Sequence, residues 1–171
     1  EINRVVRSVF REEQAFRLDH YLGKPAVQNL MALRFGNALF EPLWRRESIA
    51  NIQITLAEAI GVGTRGDFYS RTGALRDMSQ NLMSQLLAYL CREPPSSFRS
   101  AAIRDEKSKL LEAVRVMTPE EVLKDTVRGQ YGPGKKGDGT ACVGYREEPN
   151  VSPQSWTETY AAIRLSIDNW R

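Results

Sequence analysis

The chain has little of what several familiar site types need. It carries 1 histidine and 2 cysteines in 171 residues. Cys91 and Cys142 lie far apart with no histidine near either, so neither a zinc site nor a disulfide framework is indicated, and both read as free thiols. No run approaches the roughly 20 apolar residues that a membrane-crossing helix needs, and no apolar signal segment opens the chain. The expected setting is cytoplasmic, with no membrane partner. A surplus of one charge is also missing: 24 Lys and Arg stand against 21 Asp and Glu. The basic residues are scattered, not interleaved with aromatics as a nucleic-acid surface requires, so no nucleic acid is expected. An anionic small molecule suits this mild basic balance.

What is present is an ordinary globular composition, 42% hydrophobic and 26% charged, on a chain long enough to bury a sizeable core. The single histidine lies in Phe16 to Lys24, flanked by Asp19 and Tyr21. Phe16 and Leu18 alternate with Arg17 as a half-buried strand does. Gly23 breaks the run, and Pro25 can open a helix, since its missing N–H would be unbonded in a first turn anyway. Asp19 to Lys24 would then sit where a strand ends and a helix begins. There His20 and Lys24 add positive charge to free backbone donors, which suits a phosphate. On composition alone, a hydrogen-bonded structural Asp–His pair beside a solvated lysine fits the same letters.

Along the chain, Glu1 to Arg11 spaces Ile2, Val5, Val6, Val9 and Phe10 as an amphipathic helix. No cap precedes it, as expected of a piece of a longer protein. Ala26 to Leu39 reads as a second helix and Asn51 to Glu58 as a strand, on its alternation and β-branched content. Thr72 to Arg92 is the longest helical stretch, with Leu75, Met78, Leu82, Leu86 and Tyr89 on its apolar stripe and Asp77 off it near the start. Ala102 to Val116 reads as helix, while Val122 to Gly129 and Trp156 to Ile167 read as strands. The fold class expected is α+β, with helices packed on a partial, mainly antiparallel sheet. Gly132-Pro-Gly134-Lys-Lys-Gly137 fits the letters of a dinucleotide turn but lacks the strand before and the helix after, so it reads as a surface loop. Asn150-Val-Ser152 matches a glycosylation triplet and carries no weight without secretion.

The run Asp19-His-Tyr-Leu-Gly-Lys24 resembles the substrate-binding signature of the glucose-6-phosphate dehydrogenase family. So do Val27-Gln-Asn-Leu30, Phe40-Glu-Pro-Leu-Trp44, Ile52-Gln-Ile-Thr55, Gly73-Ala-Leu-Arg-Asp77, Arg104-Asp-Glu-Lys107, Arg128-Gly-Gln-Tyr131, Gly144-Tyr-Arg-Glu-Glu148 and Ile167-Asp-Asn-Trp170. These runs cover essentially the whole chain, in family order.

The resemblance implies a partial substrate-binding and dimerisation domain spanning residues 1–171. The coenzyme domain would precede it, and the end of the sheet would follow. It implies glucose 6-phosphate as ligand, oxidised to its lactone with reduction of NADP. His20, Tyr21 and Lys24 would hold the phosphate, and Glu58 and Asp77 the sugar hydroxyls. Asp19 would orient a general-base histidine, yet the family pattern Arg-Asp-Met-x-Gln-Asn-His reads Arg76-Asp-Met-Ser-Gln-Asn81-Leu82 in this chain. Losing a general base costs about 10²–10⁴ in rate. The isolated chain is therefore expected to be inactive and to bind no NADP alone, though a homodimer through the sheet is possible. A non-catalytic sugar-phosphate-binding or assembly module is the alternative.

Overall fold

Residues 2–15 and 20–171 are described in the computed structural model of the chain. The strand expected to end at Asp19 falls on Phe16, Arg17, Leu18 and Asp19, which lie outside the described residues. Helix α1 (Ile2–Val9) forms over the amphipathic opening, with Ile2, Val5 and Val9 exposed. Helix α2 (Pro25–Phe35) opens on its proline, as the sequence leads one to expect. It stops short of Leu39 because the Gly36 N–H closes its last turn on the Ala32 carbonyl. The Asn37 side chain then accepts from the Leu39 N–H at 3.0 Å, an Asx turn that competes with further helix.

The strand expected over Asn51 to Glu58 is not found, and these residues form no ladder. Alternation supplies two faces but not the neighbouring edge that a strand needs. The long helix starts earlier than its apolar stripe suggests and is not continuous. Helix α3 (Gly66–Ala74) contains Gly73 at φ 64°, ψ −179°, a conformation open in practice only to glycine. A π-helix (Leu75–Met83) follows and passes into α4 (Ser84–Cys91). Helix α5 (Ser100–Glu112) replaces the expected Ala102 to Val116 span.

The strand expected over Val122 to Gly129 is half helix. Helix α6 (Pro119–Asp125) is nucleated by a capping box. The Thr118 hydroxyl accepts from the Glu121 N–H at 3.2 Å, and the Glu121 carboxylate accepts from the Thr118 N–H at 2.9 Å. With Pro119 in the first turn, this outweighs the β-branched residues behind it. Strand β1 (Thr126–Gly129) begins where α6 ends. It pairs antiparallel with β4 (Tyr160–Ile163), Thr126 opposite Ile163 and Gly129 opposite Tyr160. The expected Trp156 to Ile167 strand is thus confined to its centre, with an isolated bridge from Ile167 to Val114 beyond it. A second ribbon joins β2 (Gly134–Lys135) to β3 (Ala141–Cys142). The class is α+β with small antiparallel ribbons.

Two interiors fix the arrangement. In one, Val62, Tyr145 and Val151 are buried together, with Tyr69 and Tyr131 packed on them. The Tyr131 hydroxyl accepts from the Val62 N–H at 3.2 Å and donates to Glu148 at 3.0 Å. In the other, α4 packs against both α2 and α5, with Leu86, Ala88 and Leu110 buried and Arg34 fully so. Arg34, on α2, donates to the carbonyls of Tyr89, Leu90 and Arg92 at 3.1, 2.6 and 2.9 Å. Those are carbonyls that the end of α4 leaves without helical partners. Glu41 pairs with the guanidinium at 3.3 Å, so the buried charge is compensated.

Candidate functional site

His20 to Gly23 form a turn. The Lys24 N–H donates to the Tyr21 carbonyl at 3.2 Å, and the Lys24 carbonyl accepts from the Val27 and Gln28 N–H groups at 3.0 Å each. The Gln28 side-chain amide reaches back to the Leu22 carbonyl. The turn is thereby locked onto the first turn of α2, and its two cationic-type side chains, His20 and Lys24, stand exposed beside each other's loop. With Gly23 and Pro25 they line an open depression of about 530 Å3.

Tyr21 runs the other way. It is buried, and its ring centroid lies 5.4 Å from that of His20, with the Lys24 ammonium 4.0 Å above the ring. An ammonium over a phenol face is attracted by the ring quadrupole, which holds the Lys24 head beside the depression. Burial raises the Tyr21 phenol above its ordinary range, the charge and hydrogen bond of Glu58 add to this, and the charge of Asp77 adds further. Tyr21 therefore joins the cationic turn to two carboxylates that are 37 and 56 residues away in sequence.

Asp77 is half-buried in the first turn of the π-helix. Leu82, also half-buried, sits five residues further on. In an α-helix residues five apart face about 140° apart. Here the Ser84 N–H closes on the Ser79 carbonyl, five residues back, and this wider winding swings position 82 toward the side that carries Asp77. Of the residues singled out from sequence, His20, Tyr21, Lys24, Glu58 and Asp77 are gathered in one region, and Asp19 lies outside the described residues.

Sequence reasoning missed Tyr69. Its hydroxyl is pushed up to about 12, chiefly by burial, then by the charges of Glu158 and Asp77. Nothing local in sequence ties it to either carboxylate. Chemically, the region offers donors and positive charge at one end and hydroxyl-accepting carboxylates at the other. Among the described residues there is no group of three or more His, Cys, Asp and Glu side chains placed to hold a metal. No helix among them is long and apolar enough to cross a membrane. The Gly132 to Gly137 run does not fit a dinucleotide: Gly134 and Lys135 pair with Cys142 and Ala141 in a hairpin, and no helix opens on the last glycine.

Residues 31–171 match the family model "Glucose-6-phosphate dehydrogenase, C-terminal domain". The chain belongs to the glucose-6-phosphate dehydrogenase family. Residues 1–29 match the model "Glucose-6-phosphate dehydrogenase, NAD binding domain", so the His20 to Lys24 turn falls in the match to the first domain and α2 straddles the junction. The chain is 50% identical over 171 residues to the glucose-6-phosphate 1-dehydrogenase of Mycolicibacterium smegmatis, covering 100% of this chain and 34% of that protein. The enzyme of the same name from Rhizobium meliloti is also 50% identical over the same span and share. Among solved structures, a glucose-6-phosphate dehydrogenase in complex with its substrate glucose-6-phosphate superposes at a TM-score of 0.82 with 35% identity, over 99% of this chain and 34% of that one. The enzyme from Mycobacterium avium superposes at 0.78 with 42% identity, over 99% and 35%. The chain spans about a third of the length of the curated relatives it matches.

Proposed function

We propose that this chain is the glucose 6-phosphate-holding part of a glucose-6-phosphate 1-dehydrogenase. The observation that carries this is the Tyr21 link: one buried phenol lies beneath the Lys24 ammonium and close enough to Glu58 and Asp77 to feel their charge. An anion end and a hydroxyl end are thus brought into one region. His20, Tyr21 and Lys24 make the phosphate end, with Tyr21 as its floor. Glu58 and Asp77 accept from sugar hydroxyls.

The reaction assigned to the whole protein is oxidation of glucose 6-phosphate to 6-phosphogluconolactone with reduction of NADP. NADP would accept the hydride, and this chain's part is to hold the sugar phosphate. It binds the phosphate, orients the ring and leaves the anomeric hydroxyl toward the side carrying position 82. Leu82 has no atom that accepts a proton, and Asp19, the partner assigned to orient a base, has none there to orient. The isolated chain therefore holds substrate without turning it over. The setting is the cytoplasm, and the exposed Val127 and Tyr160 of the β1–β4 ribbon are where a homodimer would form.

Calorimetry with glucose 6-phosphate tests the reading. Lys24→Ala and His20→Ala should each weaken binding by about 10- to 100-fold, since a hydrogen bond to a charged group contributes about 1.5–3 kcal/mol. An unaltered chain that takes up no glucose 6-phosphate defeats the proposal. Mixed with NADP and glucose 6-phosphate, the chain should produce no NADPH absorbance, and clear turnover would refute the role given to Leu82. That residue favours a second reading, a non-catalytic sugar-phosphate-binding or assembly module. Light scattering with and without the sugar phosphate separates these, because a purely assembling chain dimerises regardless of ligand.

A further inference from the structure

The break in the long helix is occupied by a side chain from the far end of the sequence. Gly73 has a positive φ and is buried. A Cβ added there would stand 2.5 Å from Glu158 Oε1, 2.8 Å from its carboxyl carbon and 3.0 Å from Oε2. The Glu158 carboxylate thus fills the space that any other residue at position 73 would use. Glu158 Oε1 accepts from the Leu75 N–H at 3.0 Å, and the Glu158 carbonyl accepts from the Ala74 N–H at 3.0 Å. Those N–H groups open the π-helix and have no partner within it. A carboxylate at that end is also favoured by the helix dipole. On the other side of the break, the Thr157 hydroxyl donates to the Ser70 carbonyl at 3.0 Å. Residues 157 and 158 therefore grip both sides of the kink, immediately before β4 pairs with β1.

We infer that Glu158 is a positioning residue that sets the orientation of the π-helix, and with it Asp77, at the sugar end of the site. This deepens the glucose 6-phosphate reading and rests on it. Asp77 lies two positions beyond Leu75, whose N–H Glu158 holds, so the carboxylate of Asp77 is aimed by that grip. The His20 and Lys24 turn is fixed by its own hydrogen bonds to residues 21 to 28 and does not depend on Glu158. The dependence predicts a split between ligands. A ligand that spans both ends feels the loss of Glu158, and a ligand that fills only the phosphate end does not.

The test compares Glu158→Ala, Glu158→Gln and the unaltered chain. Binding of glucose 6-phosphate is measured by calorimetry, and binding of inorganic phosphate is measured separately. Amide hydrogen exchange is followed across residues 70–90. Glu158→Ala should weaken glucose 6-phosphate by about tenfold or more, leave inorganic phosphate within about twofold, and speed exchange chiefly at 74–83. Glu158→Gln, whose amide oxygen still accepts from Leu75, should stay within about threefold of the unaltered chain. Equal weakening of both ligands, or of neither, overturns the inference. If Glu158→Ala fails to fold, Glu158→Asp, one methylene too short to reach Leu75, takes its place with the same expected split. Should the unaltered chain bind no glucose 6-phosphate, the substrate reading fails. The exchange data then decide alone: unchanged protection at 74–83 refutes the role of Glu158, and local loss sustains its hold on the helix.

Discussion

The two ends of the candidate site are built in opposite ways. The phosphate end is a local object: the Lys24 N–H bonds Tyr21, the Gln28 side chain bonds Leu22, and Pro25 opens the helix that follows. The backbone of the turn is closed by contacts within residues 20–28, and only Tyr21 reaches out of it, toward Glu58 and Asp77. The sugar end is assembled from distant stretches. Glu58 comes from a segment without ladder pairing, Asp77 from the π-helix, and the contact that opens that helix from Glu158, 83 residues beyond Leu75. The difference teaches that a local end can keep its shape while the helices shift, whereas the distant end is only as well placed as the tertiary contacts that hold it.

The strongest way to break that contrast is to cut the contact that holds both ends in one frame. Arg34 sits on α2, the helix that begins at the phosphate end, and binds the last carbonyls of α4, the continuation of the helix that carries Asp77. Arg34→Ala takes this donor from the Tyr89 and Arg92 carbonyls, while Leu90 keeps the Trp44 indole N–H and Glu41 keeps Arg171. Destabilisation of about 3–5 kcal/mol is expected from denaturant midpoints, and a loss under about 1 kcal/mol would show that α2 is held otherwise. A smaller effect should appear in alkali, largest at the sugar end. The Tyr69 phenol is raised from 10.0 to about 12 by burial, Glu158 and Asp77. The unfolded chain thus loses this proton at a lower pH than the folded chain does. Stability from this group is complete below pH 10 and is lost as pH climbs toward about 12. Tyr69→Phe should flatten that part of the slope, and an unchanged slope between pH 10 and 12 would sink the assignment.

The same contrast explains what could be read from the sequence. The helix opening at Pro25 and the clustering of His20, Tyr21 and Lys24 were legible because proline geometry and short turns are set by neighbours. The capping box at Thr118 and Glu121 was equally local, yet the β-branched residues Val122, Thr126 and Val127 drew the reading to strand. Asn51 to Glu58 shows the opposite limit: its alternation is real, but a ladder depends on a second edge that periodicity does not reveal. Gly73 sat within the resemblance to the family motif, where its letter was visible and its positive φ was not. Glu158 and Tyr69 had no signal at all, since what makes them matter is contact across 83 residues in one case and a shared field of carboxylates in the other.

The smallest expected effect tests how independent the local end is. Gln28 is exposed, and its side-chain amide reaches the Leu22 carbonyl within the phosphate turn. An exposed hydrogen bond of this kind contributes about 0.5–1.5 kcal/mol. Gln28→Ala should leave the denaturation midpoint almost unmoved, because water replaces the lost donor at Leu22. The turn that carries His20 and Lys24 becomes looser, so inorganic phosphate should bind about two- to fivefold more weakly, the lower part of the range that bond strength allows. Amide exchange at 74–83 should not change. If exchange there does rise when Gln28 is removed, the phosphate end is coupled to the π-helix, most directly through Tyr21 and Glu58, and the two ends cannot be treated as separately built.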